Sequence, residues 1–204
     1  DAKPKPKTAA AYQTSINEDL DVVTREEWGA REHIPHNPGV HNYEEYQGDL
    51  SDALHSIAIH HSGNSNKHEM SEVQDHHMDS PDYDLADVGY HYGINLKGEI
   101  VEGRPIGVKG SHISKGNTGV IGIVFLADLN EQWWDFDDAM SKKMEATLLS
   151  LIRTLQGNFK KIQFLGGHQE YNEGRSCPGN IPMAKMEGWR SAVGLKKPKL
   201  VTHK

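Results

Sequence analysis

The stretch Ser56-Ile57-Ala58-Ile59-His60-His61 decides the interpretation of this chain. It is short and rich in β-forming residues, which predicts a buried strand. Two histidines close the strand. In α/β sheets, catalytic and ligand-binding side chains are concentrated at the ends of strands. Adjacent strand residues point to opposite faces, so we expect only one of the two imidazoles to face a site.

The sequence around this strand predicts alternating strands and helices. Lys97-Gly98 separates two β-forming runs and indicates a hairpin. Ser71 followed by Gln74 is a capping-box pattern that should open a helix. The predicted strands cover residues 56–60, 90–96, 99–102, 120–126 and 162–165, and the predicted helices cover 71–79, 138–156 and 181–191. This alternation predicts an α/β fold in which a mixed central β-sheet is flanked by α-helices.

The predicted domain covers residues 16–194. We expect residues 1–15 to be a flexible leader and residues 195–204 to be a frayed basic tail. Residues 29–53 are polar without a steady period, which predicts a long loop of the kind that is often functional. The chain begins at Asp1 and shows no signal peptide, so we expect a processed mature form or a trimmed chain.

The charge of the 204-residue chain is acidic overall and unevenly spread. The formal net charge is −7, with three Lys in residues 1–10 and four Lys but no acid in residues 191–204. Without these ends the chain holds 15 basic and 28 acidic residues, a body that repels nucleic acid. No apolar run approaches the ~20 residues of a membrane span. We therefore expect neither nucleic acid as a partner nor a membrane span. The basic ends are either solvated or in contact with anionic polymers or a membrane surface.

Three groups predict a metal centre. His60 and His61 close the first strand, His168 follows the strand at 162–165, and Cys177, the sole cysteine, lies nine residues further on. Two imidazoles and a thiolate can hold zinc and leave a fourth position for water, which zinc activates for hydrolysis. A structural zinc site would need a fourth protein ligand, and another of the 13 histidines could supply it. The alternative is a set of packed histidines and an inert cysteine.

Further motifs follow one another in a fixed order between about Thr24 and Trp189. They are Thr24 to Arg31 (TREEWGAR), Asp87 to Tyr92 (DVGYHY), Gly98, Glu102 to Arg104 (EGR), Gly110 to His112 (GSH), Gly119 to Ile123 (GVIGI), Gly167-His168, and Cys177 to Gly179 (CPG). In this order they resemble the type 2 N-acetylmuramoyl-L-alanine amidase and peptidoglycan recognition protein family. Several motifs in register are more specific than any one of them alone.

The resemblance implies a site at one edge of the sheet. It implies zinc as the cofactor, with His60, His168 and Cys177 as ligands and with His60 preferred over His61. It implies that Tyr90 is the active-site tyrosine, whose hydroxyl would hydrogen-bond the scissile carbonyl or the attacking water.

The resemblance also indicates substrate-binding residues. His112 and Asn117 match positions that line the saccharide-peptide groove of the family. His77 and Trp28 are further candidates, with solvent exposure and core packing as the respective alternatives.

Two positions depart from the family pattern. Arg175, two residues before Cys177, stands where relatives carry Lys or Thr. Arginine stays charged, so it cannot shuttle a proton, but it can stabilise a developing oxyanion. Val124 stands where some relatives carry a catalytic Glu, which leaves the general base unassigned.

The function implied by the resemblance is zinc-dependent hydrolysis of the amide bond between N-acetylmuramic acid and L-alanine in peptidoglycan. The expected partners are peptidoglycan or muropeptides, and the expected protein is a secreted or periplasmic monomer. The alternatives are a recognition module that binds peptidoglycan without cutting it and a zinc peptidase that cuts another stem-peptide bond. The presence of Cys177 favours the enzyme over the recognition module.

Overall fold

A five-stranded mixed sheet forms the centre of the computed structural model, which describes residues 7–63, 68–132 and 137–202. The strands are β1 (Ser56–His61), β2 (Tyr92–Ile94), β3 (Ile100–Glu102), β4 (Val120–Phe125) and β5 (Phe164–Gly167). Their order in the sheet is β3-β2-β4-β1-β5. Only the hairpin of β2 and β3 is antiparallel, and the other neighbours are parallel. The predicted α/β fold with a mixed sheet is confirmed.

Seven helices connect or cover these strands in the described part of the chain. They are α1 (Ala9–Asp19), α2 (Arg25–Trp28), α3 (Leu50–Ala53), α4 (Met70–Asp79), α5 (Lys142–Asn158), α6 (His168–Tyr171) and α7 (Asn180–Val193). Five apolar residues of α5 fall at helical spacing and are buried, namely Met144, Leu148, Leu151, Ile152 and Leu155, so this helix covers the sheet with one continuous face. None of the described helices is long and apolar enough to cross a membrane.

The beginning of α4 corrects one detail of the sequence prediction. The helix starts at Met70, and its N-cap, Glu69, makes no side-chain cap. Gln74 does not close a capping box. Its side-chain amide instead bonds both Arg31 backbone groups and the buried carboxylate of Asp87. The polar residue that suggested a cap therefore ties the helix to the loops beside it.

The predicted flexible leader is wrong for the residues that the structure describes as helical. Thr8 caps α1, and Tyr12 and Ile16 of this helix are buried in the main core. The Tyr12 ring lies 4.9 Å from the Phe159 ring, measured between centroids. Gln13 donates a hydrogen bond of 3.0 Å to the Tyr92 hydroxyl. These tertiary contacts hold a segment whose composition alone suggests disorder, while residues 1–6 lie outside the described part.

The predicted basic tail is likewise ordered where the structure describes it. Leu195 is buried, and Lys196 forms an isolated parallel bridge with Phe164 of β5. The Val201 N–H donates to the Tyr171 carbonyl over 2.8 Å. An edge strand has unpaired backbone groups, and this segment supplies partners for those of β5. Residues 203–204 lie outside the described part.

The predicted long loop at 29–53 is mostly irregular but is fixed to the domain. It contains the single helical turn α3 and two isolated bridges, Asn37 to His41 and Glu45 to Val108. The Tyr46 hydroxyl accepts a hydrogen bond from the Gly119 N–H at the start of β4. The loop thus covers one side of the sheet.

Candidate metal centre and cleft

The parallel pairing of β1 determines which histidine faces the centre. His60 lies opposite Val124 of β4 and is only 1% exposed. His61 turns the other way, and its Nδ1 accepts a hydrogen bond of 3.1 Å from the Leu129 N–H. The structure therefore groups His60, and not His61, with the other two predicted ligands.

His168 reaches the same point from the neighbouring strand. Gly167, the last residue of β5, pairs with Ile59, so the next residues of the two strands, His168 and His60, lie side by side. Their ring centroids are 4.7 Å apart. The register of two parallel strands thus brings together two histidines that are more than a hundred positions apart in the sequence.

Cys177 completes the group from the turn before α7. The Gln169 N–H donates to the Cys177 carbonyl over 3.0 Å, which closes the 169–177 loop against α6. One donor atom from each of His60, His168 and Cys177 lies within 4.8 Å of the others. The Cys177 Sγ is 3.6 Å from the His60 Nδ1.

This donor set fits zinc. Bonds of about 2.3 Å to sulfur and about 2.0–2.1 Å to nitrogen at a tetrahedral angle require an S to N separation of about 3.6 Å. The observed separation of Cys177 Sγ and His60 Nδ1 is the same. No other group of three potential ligands lies this close together among the described residues. Three protein donors leave a fourth position for water or substrate.

Burial sets the protonation of the donors in the absence of a cation. It lowers the pKa of His60 and His168, so both imidazoles are neutral and offer a lone pair. It raises the pKa of the Cys177 thiol to about 12, and the nearby charge of Arg175 acts weakly in the opposite direction. A bound zinc ion would favour the thiolate, so metal binding here releases a proton.

Two of the three donors, His168 and Cys177, line a cleft of about 610 Å³, while His60 is buried beside them. Tyr90, His77, His112, Asn117 and Arg175 all line this cleft, which brings five of the predicted site residues together. None of the described lining residues is acidic, while Lys115 and Arg175 are basic. The cleft is therefore cationic in a chain whose net charge is −7.

Tyr90 stands beside the donor group. Its ring centroid is 4.8 Å from that of His60. Burial, with a smaller contribution from the neighbouring Cys177, raises the pKa of the phenol far above neutrality. The hydroxyl therefore remains protonated and is able to donate a hydrogen bond to a developing negative charge.

His77 acts on the backbone beside Tyr90. Its Nδ1 accepts a hydrogen bond of 3.0 Å from the Gly89 N–H, and its ring packs 5.3 Å from that of Tyr90. The predicted solvent-facing alternative is wrong, because His77 is buried apart from its edge at the cleft. This contact holds the peptide that carries Tyr90.

Arg175 lies exposed on the rim of the cleft. It forms no ion pair within the described part of the chain, so its charge is not neutralised by a neighbouring carboxylate. The loop before α7 thus places a basic side chain at the cleft.

His112 and Asn117 are bonded within the protein, although both reach the cleft. His112 is buried, and its Nδ1 lies 2.8 Å from the His60 Nε2. The Asn117 Oδ1 accepts hydrogen bonds of 2.8 Å from the N–H groups of His112 and Ile113. Their side chains therefore shape the cleft wall before any substrate arrives.

Trp28 is the predicted site residue that the structure does not bring to the cleft. Its indole packs against Val101 and Val124, and its Nε1 donates to the Glu102 carbonyl over 2.8 Å. It lines a separate depression near β3. The structure therefore places Trp28 outside the cleft and against an apolar cluster, in line with the packing alternative, and its role in substrate binding stays a prediction.

Asn172 is a residue of the centre that the sequence analysis did not find. It caps the single turn of α6, and its Oδ1 lies 3.1 Å from the His168 Nε2. The only sequence signal is its spacing of four residues from His168, which places two side chains on one face of a helical turn. That signal is too common to identify a site.

Comparison with known proteins supplies independent evidence on this arrangement. Residues 51–180 match the protein family described as N-acetylmuramoyl-L-alanine amidase. Peptidoglycan-recognition protein SC1a of Drosophila melanogaster is 29% identical over 175 residues, which cover 82% of this chain and 85% of that protein.

Two solved structures show the same fold. Wild-type Drosophila PGRP-LB superposes with a TM-score of 0.65 at 25% identity, covering 86% of this chain and 96% of that one. The N-acetylmuramoyl-L-alanine amidase LysC from Clostridium intestinale has a TM-score of 0.60 at 24% identity, covering 78% of this chain and 100% of that one.

The donor geometry predicts one zinc ion per chain. In Cys177→Ser we expect the zinc content to fall far below that level, because a serine hydroxyl does not ionise to replace the thiolate. Elemental analysis after dialysis against trace zinc measures this. His61→Gln is the matched control, because it changes the adjacent histidine and keeps an acceptor for Leu129. Full zinc in Cys177→Ser would refute the ligand assignment.

Proposed function

Since the chain belongs to the N-acetylmuramoyl-L-alanine amidase family, we propose that it is a zinc-dependent amidase. The bond cut is the amide between N-acetylmuramic acid and the L-alanine of the stem peptide. The observation that carries the proposal is the convergence of His60, His168 and Cys177, of which His168 and Cys177 line an open cleft. The family match supports peptidoglycan as the substrate class, and the donor set supports turnover rather than binding alone.

The complete donor set favours an enzyme over a module that only recognises peptidoglycan. Binding alone requires shape, hydrogen bonds and charge along a cleft, and it gives no reason to bury two imidazoles beside a thiol. The convergence of two imidazoles and a thiol instead suits a metal ion as the bound ligand. A divalent cation with an open coordination position is such a ligand and is also a catalyst.

Zinc, when bound by these residues, would polarise the scissile carbonyl and lower the pKa of a water molecule. Tyr90 lies on the edge of the same centre with a protonated hydroxyl. In the proposed reaction this hydroxyl donates a hydrogen bond to the carbonyl oxygen as negative charge develops there. Water adds to the carbonyl carbon, the C–N bond breaks, and the alanine nitrogen leaves with a proton.

The charge of the cleft suits the stem peptide. Stem peptides carry carboxylates, and the described cleft wall offers Lys115 and Arg175 with no acidic residue to repel them. Val124 is buried beside His60, so the carboxylate base found in some relatives has no counterpart at that position. The described cleft lining provides imidazoles and a phenol for proton transfer but no carboxylate.

The same proposal includes the setting of the protein. A Drosophila PGRP-LB variant, 26% identical with a TM-score of 0.63, was solved in complex with tracheal cytotoxin, covering 82% of this chain and 94% of that one. We infer that this chain takes peptidoglycan or muropeptides as its substrate. It would then work as a secreted or periplasmic monomer, where this polymer is accessible.

The products of digestion test this function. Zinc-loaded protein incubated with purified peptidoglycan should release free stem peptides with an L-alanine amino terminus and leave peptide-free glycan. Mass spectrometry of the soluble and insoluble fractions identifies both. Cys177→Ser is the control for contaminating activity. Binding without any release would favour the recognition module, and cuts within the stem peptide would favour a peptidase.

Tyr90→Phe should lower turnover without changing zinc content or thermal stability. The variant keeps the ring and removes the hydroxyl that would donate to the oxyanion. Loss of one such donor typically lowers kcat by about 10²–10³-fold. Steady-state kinetics on a defined muropeptide measure the effect. A kcat equal to that of the parent would show that Tyr90 only packs.

Arg175 should contribute a fixed positive charge. Arg175→Lys keeps the charge and should retain much of the activity, with some loss because lysine lacks the planar fork. Arg175→Ala should lose most of the activity, mainly in kcat, since the interaction strengthens in the transition state. Lys115→Ala removes the other lysine or arginine of the described cleft lining, and it separates this effect from general attraction of an acidic substrate. Equal kcat for the parent and Arg175→Ala would end the catalytic role.

A further inference from the structure

A chain of hydrogen bonds fixes which nitrogen of His60 faces Cys177. The His112 Nε2 lies 3.2 Å from the Val120 carbonyl oxygen, which can only accept, so this nitrogen carries the proton. In a neutral ring the His112 Nδ1 is then an acceptor. It lies 2.8 Å from the His60 Nε2, which must therefore donate. The remaining nitrogen of His60, Nδ1, is left with a lone pair 3.6 Å from the Cys177 Sγ.

A second chain fixes His168 in the same way. The Asn172 Oδ1 accepts from the Ser114 N–H over 2.9 Å, and its Nδ2 donates to the Ser114 carbonyl over 3.1 Å. These two bonds determine the orientation of the amide. The His168 Nε2, 3.1 Å from the same Oδ1, is therefore a donor. Its Nδ1 is left available to a metal.

The surroundings of the His112 ring leave it little freedom. A Cβ at Gly110 would lie 2.5 Å from the His112 Cδ2, and one at Gly122 would lie 2.9 Å from the same ring. Both glycines belong to motifs that the sequence analysis singled out, and close approach to this ring explains why a side chain is excluded there. The Asn117 Oδ1 accepts one hydrogen bond from the His112 N–H and another from the N–H of the next residue, Ile113.

We propose that His112 and Asn172 are positioning residues that hold His60 and His168 as Nε2–H tautomers, so that both Nδ1 atoms point at one metal. The inference rests on the zinc site of the proposed function. It replaces the predicted role of His112 as a residue that binds substrate. It also ties the metal to the cleft wall, because His112 belongs to the 111–117 segment and Asn172 grips the same segment at Ser114.

His112 and Asn172, the two anchors of the histidine ligands, differ in chemistry from the usual hydrogen-bond partners of metal-binding histidines. Metal-binding histidines often donate their second N–H to a carboxylate, which adds negative charge behind the ligand. Here the acceptors are a neutral imidazole and a neutral amide. Zinc with one thiolate would then keep a net charge of about +1 at the centre, which strengthens its pull on a carbonyl oxygen.

The first test reads the tautomers directly. Long-range ¹H–¹⁵N correlation spectra of metal-free protein at neutral pH distinguish Nε2–H from Nδ1–H imidazoles. We expect the Nε2–H form for His60, His112 and His168. A neutral Nδ1–H form of His60 or His168 would overturn the proposal, and this result does not depend on any variant folding.

The second test measures zinc affinity by competition with a chelator. His112→Phe and Asn172→Ala should each weaken zinc binding by about 10–100-fold, the range typical of lost outer partners. Asn172→Asp keeps an acceptor oxygen for His168 and should restore affinity close to that of the parent. In cobalt-substituted protein, the visible absorption bands should shift in the two weakened variants and return towards the parent in Asn172→Asp.

His91→Phe is the matched control. His91 is a buried imidazole with the same kind of bonds, from its Nε2 to the Val108 carbonyl and from the Gly122 N–H to its Nδ1, but it touches no donor. It should lower stability and leave zinc affinity unchanged. Unchanged affinity in both anchor variants, or an equal loss in His91→Phe, would overturn the proposal.

The outcomes separate this inference from the function. A parent that binds zinc and releases stem peptides, with anchor variants that bind zinc equally well, refutes only the anchors. If the anchor variants weaken zinc binding as expected but the parent protein releases no stem peptides, only the proposed amidase activity is refuted.

Discussion

The parallel register of β1 between β4 and β5 is the constraint on which the centre depends. All six residues of β1 are buried, but Ile57 and Ile59 pack in the main core and Ala58 packs in a separate cluster, so the two faces of the strand are not interchangeable. A slip of one residue would turn His60 away from His168 and Cys177 and put His61 on that face. Because Ile59 pairs with Gly167, the same register sets His168 beside His60. Two ligands of the proposed zinc are thus placed by strand pairing alone.

Hydrogen bonds from neighbouring side chains then orient the histidines that the strand register places. His112 stands behind His60, Asn172 stands behind His168, and each is held by backbone groups of the wall segment or of β4. His77 holds the peptide before Tyr90 in a similar way. The cleft is therefore a set of reactive groups on rigid strand ends, supported by polar side chains whose own positions are fixed. Such preorganisation is what stabilisation of a transition state requires.

The sequence predicts the strands, the long helices and the donor group because each leaves a local pattern. Alternation, helical spacing and chemically distinctive residues at strand ends need no knowledge of tertiary contacts. The helix α1 leaves no such pattern, since its order depends on contacts such as that of Tyr12 with Phe159. A sequence motif also does not show in which direction a side chain points. Trp28 and His112 both belong to motifs, yet Trp28 packs against an apolar cluster and His112 contacts His60.

The coordination of zinc in solution tests the central claim most directly. X-ray absorption at the zinc edge of loaded protein reports ligand types and distances without any variant. We predict one sulfur at about 2.3 Å, two imidazole nitrogens at about 2.0–2.1 Å and one further light atom from water. A first shell without sulfur, or with a third imidazole in place of the water, would contradict an open catalytic centre built from His60, His168 and Cys177.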